Sequence, residues 1–129
     1  MSVKTILIVE DDEDLVETLR TVLESAQYEV VSAPNGKTGW QRAKETSPDL
    51  AVVDMMMDTV ADGFELSRKF RADDQMKRMP IIMVTAINQR FPLDMGQPDD
   101  DQYLPVDRFL EKPLDPQILL DEIAELLGE

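Results

Sequence analysis

Five consecutive acids, Glu10 through Asp14, stand directly after the short β-branched run TILIV at residues 5–9. A further acid, Asp54, closes the run LAVVD; Thr85 follows PIIMV, and Lys112 stands in FLEKPLDP. Two carboxylates held about 5 Å apart repel by about 3 kcal/mol at an effective dielectric of 20. A hard cation with oxygen ligands relieves that repulsion, and carboxylates with water suit magnesium. A carboxylate can also attack phosphorus and become an aspartyl phosphate. Such a transfer needs neutralisation of the phosphoryl oxygens, which a lysine and a metal supply, and a threonine hydroxyl can donate to one of them. Each residue also has a plain structural reading. An acidic run favours a helix N-terminus, an acid or threonine after a strand is commonly a turn residue, and a lysine before proline is an ordinary surface residue. Their placement at successive strand ends is what points to chemistry.

Composition narrows the chemistry further. The 129-residue chain has no cysteine and no histidine, which removes disulfides, thiolate nucleophiles, imidazole metal sites and Ser-His-Asp catalysis. Its 27 acidic and 13 basic residues leave a formal net charge of -14. That field repels nucleic acid and anionic membrane surfaces and favours cations and basic protein partners. The apolar runs fall far short of the ~20 residues of a membrane span. The N-terminus enters a strand and then acid, unlike a signal peptide, so a cytoplasmic location is the default expectation.

Strand and helix patterns alternate along the chain. Strand-like runs occupy residues 5–9, Tyr28–Ser32, Leu50–Val53, Pro80–Val84 and Arg108–Leu110. Between them, Leu15, Leu19, Val22, Leu23 and Ala26 recur on a helical face from Asp14. Asn35-Gly36 opens a weaker helix with Trp40 and Ala43, and Phe64, Leu66 and Phe70 mark a third. Asp115-Pro116 supplies a cap and a first-turn proline for a last helix through Leu127. Five short strands separated by helices predict an α/β domain, a doubly wound parallel sheet with helices on both faces. Ligand sites in such folds lie beyond the carboxyl ends of the strands, where Glu10, Asp11, Asp12, Asp54, Thr85 and Lys112 fall. Trp40 and the phenylalanines of the third helix read as core. No repeat or linker divides the chain, so one domain over 1–129 is expected.

ILIVEDDED, LAVVDMMMD, ADGFEL, PIIMVTA and FLEKPLDP, in this order and at nearly this spacing, resemble the successive motifs of response-regulator receiver domains. The resemblance spans almost the whole chain. It implies a flavodoxin-like sheet and a magnesium-dependent switch phosphorylated on Asp54 by a sensor histidine kinase or phosphotransfer protein. In that reading Asp11 binds magnesium directly with Glu10 nearby, and the backbone carbonyl of Met56 is a further metal ligand. Asp12 caps the first helix. Thr85 is the switch hydroxyl, Lys112 the phosphate-binding lysine before a cis proline, and Phe109 the aromatic that changes rotamer on activation. The resemblance leaves the downstream protein target, a homodimer and a stand-alone or longer parent chain open.

The sequence departs from the family pattern in two places. Asp58 stands where a proline is usual four residues after the phosphoacceptor, and Gly63 comes nine residues on rather than eight, so the loop after Asp54 is expected to be one residue longer. Thr85 and Lys112 are 27 apart, several more than usual, and the intervening prolines and acids predict a shortened or irregular fourth helix. Residues 87–107 are expected to form a partner-specific docking surface. Two other functions compete. A haloacid-dehalogenase-type phosphatase also forms an aspartyl phosphate, but needs a second Asp where this chain has Met56. A receiver-like interaction module would turn over no phosphate.

Overall fold

The computed structural model describes residues 3–55, 62–85 and 106–129. Its elements run β1 (Thr5–Val9), α1 (Glu13–Ser25), β2 (Glu29–Ala33), α2 (Gly36–Thr46), β3 (Leu50–Asp54), α3 (Asp62–Ala72), β4 (Ile81–Thr85), β5 (Arg108–Glu111) and α4 (Pro116–Leu127). The five strands form one parallel sheet in the order β2-β1-β3-β4-β5. The expected doubly wound α/β architecture is therefore present. The predicted irregular fourth helix falls outside the described residues, as do Met56, Asp58 and residues 87–105.

Alternation along the strands builds two apolar layers. Ile6 and Ile8 of β1, Leu50 and Val52 of β3, and Ile82 and Val84 of β4 meet Val16, Leu19 and Leu23 of α1 and Leu119 and Ile123 of α4. Leu7, Val9, Ala51, Val53 and Ile81 point the other way, onto Ala43 of α2 and Leu66 and Phe70 of α3. A parallel sheet covered on both faces needs apolar residues at every position, and β3 and β4 are buried throughout.

The helix starts follow from capping. Asp12 accepts from the amides of Asp14 and Leu15 at 3.1 and 3.2 Å, so α1 begins at Glu13. Asn35 accepts from Thr38 N at 2.8 Å, and Asp115 from Gln117 N at 2.8 Å with Pro116 in the first turn. Each side chain satisfies an amide that a helix leaves unpartnered at its start. The buried stripe of α1 differs from the expected one: Val16, Leu19 and Leu23 are buried, whereas Ala26 is the exposed C-cap. The Asp12 cap sets the helix phase and turns Val16 inward.

Every strand but β1 ends one residue beyond its expected run, and at β3 and β4 the extra residue is polar. Met55 N donates to Val84 O at 2.8 Å and Lys112 N to Thr85 O at 2.7 Å, so the ladder carries Asp54 and Thr85 as strand residues. β5, an edge strand, is tied to α4 by Arg108, whose guanidinium lies 3.1 Å from Glu122 and 2.7 Å from Glu125. Among the described residues, no helix is long and apolar enough to cross a membrane.

Candidate functional site

The sheet order reverses between β1 and β3, and the crevice beyond the strand ends at such a reversal is where doubly wound folds place ligands. The β1–β3 register pairs Val9 with Val53, so the next step sets Glu10 level with Asp54. One oxygen from each of Glu10, Asp11 and Asp54 can be chosen so that all three lie within 4.8 Å of one another. Glu10 and Asp54 are each 5% exposed, whereas Asp11 is exposed. The cluster thus has a dry floor and an open rim.

Lys112 enters from the other side. Its ammonium lies 2.9 Å from Glu10 Oε1 and 3.4 Å from Asp54 Oδ2. Its placement is fixed from the backbone: Lys112 N donates to Thr85 O at 2.7 Å, and the Lys112–Pro113 peptide is cis. Asp54 pairs with Val84 in the β3–β4 register, so buried Thr85 stands one step beyond that partner. Parallel strands run about 4.8 Å apart, which makes Thr85 a neighbour of the cluster. Glu10 is held by its own backbone, with Glu10 N donating to Ala33 O at 2.9 Å, and its Oε2 accepts from Asp12 N at 3.1 Å.

Charge and burial act together on these groups. Burial raises the Glu10 carboxyl above its ordinary value, Lys112 draws it down, and the charge of Asp54 raises it again, for a net rise. Asp11 is also raised, by desolvation first and then by its hydrogen bond and repulsion with Glu10. Burial works to lower Lys112, but its hydrogen bond to Glu10 and the charges of both carboxylates outweigh this, and its net shift is upward. The ammonium therefore stays charged between two acids. The donor set is all oxygen, with two buried carboxylates and one at the rim, and this fits a hard divalent cation such as magnesium. What the arrangement offers chemically is a carboxylate nucleophile, Asp54, beside a fixed cation and a place for a second.

Phe109 pairs with Met83 across β4 and β5 and packs, partly buried, against Met55, Phe64 and Met83. The expected residues Glu10, Asp11, Asp54, Thr85 and Lys112 thus share one end of the sheet, Phe109 lies two residues further back on β5, and the Met56 carbonyl lies outside the described residues. Sequence reasoning missed what sets the end of β3. Gly63, at the start of α3, lies so close that an added Cβ would sit 2.5 Å from Asp54 O and 2.7 Å from Met55 Cα. Gly63 N also donates to Met55 O at 3.0 Å. A glycine here lets α3 abut the end of β3. It missed a second clamp as well. Arg71 donates to Lys77 O, Met79 O and Asp107 Oδ2, and the same Asp107 oxygen accepts from Ile81 N at 2.8 Å. This joins the end of α3 to the starts of β4 and β5.

Fold and site together describe a doubly wound α/β domain with an acidic cluster and a lysine at the carboxyl ends of its strands. The response regulator receiver domain model matches residues 6–124, so the chain belongs to that family of two-component signalling domains. It is 33% identical over 124 residues to the alkaline phosphatase synthesis transcriptional regulatory protein PhoP of Bacillus subtilis, covering 96% of this chain and 48% of that one. It is 27% identical to the polar-differentiation response regulator DivK of Brucella anthropi, over 98% of both chains. The chain therefore spans about half of the first relative and nearly all of the second. Among solved structures, a CheY-like response regulator receiver domain protein from Methanospirillum hungatei superposes with a TM-score of 0.83 at 29% identity, over 98% of this chain and 95% of that one.

Proposed function

We propose that residues 1–129 form a single receiver domain that takes a phosphoryl group onto Asp54 from a sensor histidine kinase or phosphotransfer protein. Transfer depends on magnesium and switches a protein-interaction surface. The observation that carries this reading is the convergence of Glu10, Asp11 and Asp54 within 4.8 Å beside the Lys112 ammonium. Asp54 is the nucleophile: its carboxylate oxygen forms the new bond to phosphorus as the bond to the donor nitrogen or oxygen breaks. Lys112, already 3.4 Å from Asp54, receives negative charge on a phosphoryl oxygen. Thr85 donates its hydroxyl to another, and Phe109 repacks on the Met55–Phe64–Met83 cluster as Thr85 moves. Glu10, Asp11, Asp54 and the Met56 carbonyl would hold magnesium, which brings positive charge against the transferring group. The domain then catalyses only its own phosphorylation and dephosphorylation.

Labelling with acetyl phosphate, with and without magnesium, tests the proposal. A stable, magnesium-dependent label supports a receiver. Rapid multiple turnover would instead mark a phosphatase, and no label an inert interaction module.

A further inference from the structure

The helices divide the charge of this protein unevenly. α2 and α3, which cover one face of the sheet, carry six of the 13 basic residues but only three of the 27 acidic ones. α1 and α4, on the opposite face, carry seven acids and a single basic residue, Arg20. At physiological ionic strength the Debye length is about 8 Å, so a molecule approaching α2 and α3 meets their local positive charge rather than the net charge of -14. The same face holds a cavity of ≈ 710 Å³ between the two helices, with Lys37, Trp40, Glu65, Leu66 and Lys69 among its lining residues.

Trp40 forms the apolar wall of this groove. Its ring is stacked on Phe70 at 5.9 Å and 24°, which fixes the indole as a platform. Lys69 Nζ stands 4.9 Å from the ring centroid and Lys44 Nζ 5.6 Å. Lys44 is neutralised by Asp73 at 3.0 Å, but Lys37 and Lys69 have no carboxylate within ion-pair reach among the described residues. A fixed aromatic wall in a groove that is also lined by two ammonium groups without a carboxylate partner is complementary to an apolar side chain flanked by acids.

We propose that the α2–α3 groove docks an acidic peptide segment of a partner protein, seating one large apolar side chain against Trp40 and placing carboxylates on Lys37 and Lys69. The surface lies on a different part of the fold from the Asp54 cluster and does not depend on phosphoryl chemistry. Only two lysines line the groove and Glu65 stands among them, which disfavours a nucleic acid strand, since that needs a continuous basic track.

The test uses the whole chain as bait for a random peptide display library, with Lys37→Glu/Lys69→Glu protein as the counter-selection. Both lysines are exposed, and circular dichroism checks that the variant folds. Peptides retained by the wild type alone should be rich in Asp and Glu around a Phe, Trp or Leu. Synthesised, they should shift Trp40 fluorescence saturably and bind the double variant about tenfold more weakly or worse. Lys37→Gln/Lys69→Gln should be intermediate. The proposal is overturned by the absence of wild-type-only peptides, or by winners without acidic bias. Tighter binding of a single-stranded oligonucleotide, or self-association in sedimentation that the Lys37→Glu/Lys69→Glu variant loses, overturns it equally.

Discussion

The Lys112 ammonium lies closer to Glu10, at 2.9 Å, than to Asp54, at 3.4 Å. The cation that neutralises the cluster is thus built into the chain, and it stands where it would oppose a second cation. Replacing Lys112 with methionine should raise magnesium affinity, by about tenfold if roughly 1.4 kcal/mol of repulsion is relieved. The same variant should label far more slowly with acetyl phosphate. Calorimetry and a labelling time course measure the two effects. Loss of magnesium binding together with labelling would mean that Lys112 organises the site rather than completing it.

Asp11 and Asp12 are adjacent but are assigned different tasks. Asp12 caps α1 through the amides of Asp14 and Leu15, so Asp12→Ala should cost about 1 kcal/mol in urea unfolding and leave magnesium affinity nearly unchanged. Asp11→Asn should do the reverse. If Asp12→Ala abolishes magnesium binding, the register of the acidic run is off by one.

The raised carboxyls of Glu10 and Asp11 give opposite pH trends to the free and the magnesium-bound protein. Without metal, a carboxyl raised in the folded state favours protonation of the folded form. Its stabilising contribution is complete below the ordinary values of 4.5 for Glu10 and 3.8 for Asp11, and is lost as pH rises through the raised ones. Thermal stability of the free protein should therefore increase as pH is lowered from neutrality toward those values, and Glu10→Gln should flatten the rise. Magnesium affinity should fall over the same window, because protons compete for the same oxygens. A magnesium affinity that stays constant across it would remove these carboxylates from the metal site.

Gly63→Ala should destabilise the fold by about 1–3 kcal/mol, the usual cost of forcing a group into packed structure. Its Cβ would meet backbone atoms, Asp54 O and Met55 Cα, that have no side-chain freedom with which to yield. Because those atoms belong to Asp54 and its neighbour, labelling should slow as well. Unfolding curves and labelling rates that both match the parent would show that the approach of α3 is not tight.

Strand ends were the legible part of this protein. TILIV, LAVV and PIIMV are apolar because both faces of a parallel sheet are covered, so the first polar residue after each one marks the rim where chemistry can occur. Glu10, Asp54 and Thr85 could be read in this way, and Lys112 from its place after the last strand. The inward turn of Val16 could not, since it depends on where Asp12 starts α1. Gly63 and the Arg71–Asp107 clamp depend on how α3 meets two strands distant in sequence. The basic face of α2 and α3 is invisible in a net charge of -14 until the topology places those two helices side by side.

The most direct test of the account is the position of the phosphoryl group. After acetyl phosphate labelling in magnesium, mass spectrometry of proteolytic fragments should find a single phosphoryl group on Asp54, and Asp54→Asn should take up none. An equal label in Asp54→Asn, or a group mapped to Asp11, Asp12 or Asp58 in the parent protein, would contradict it.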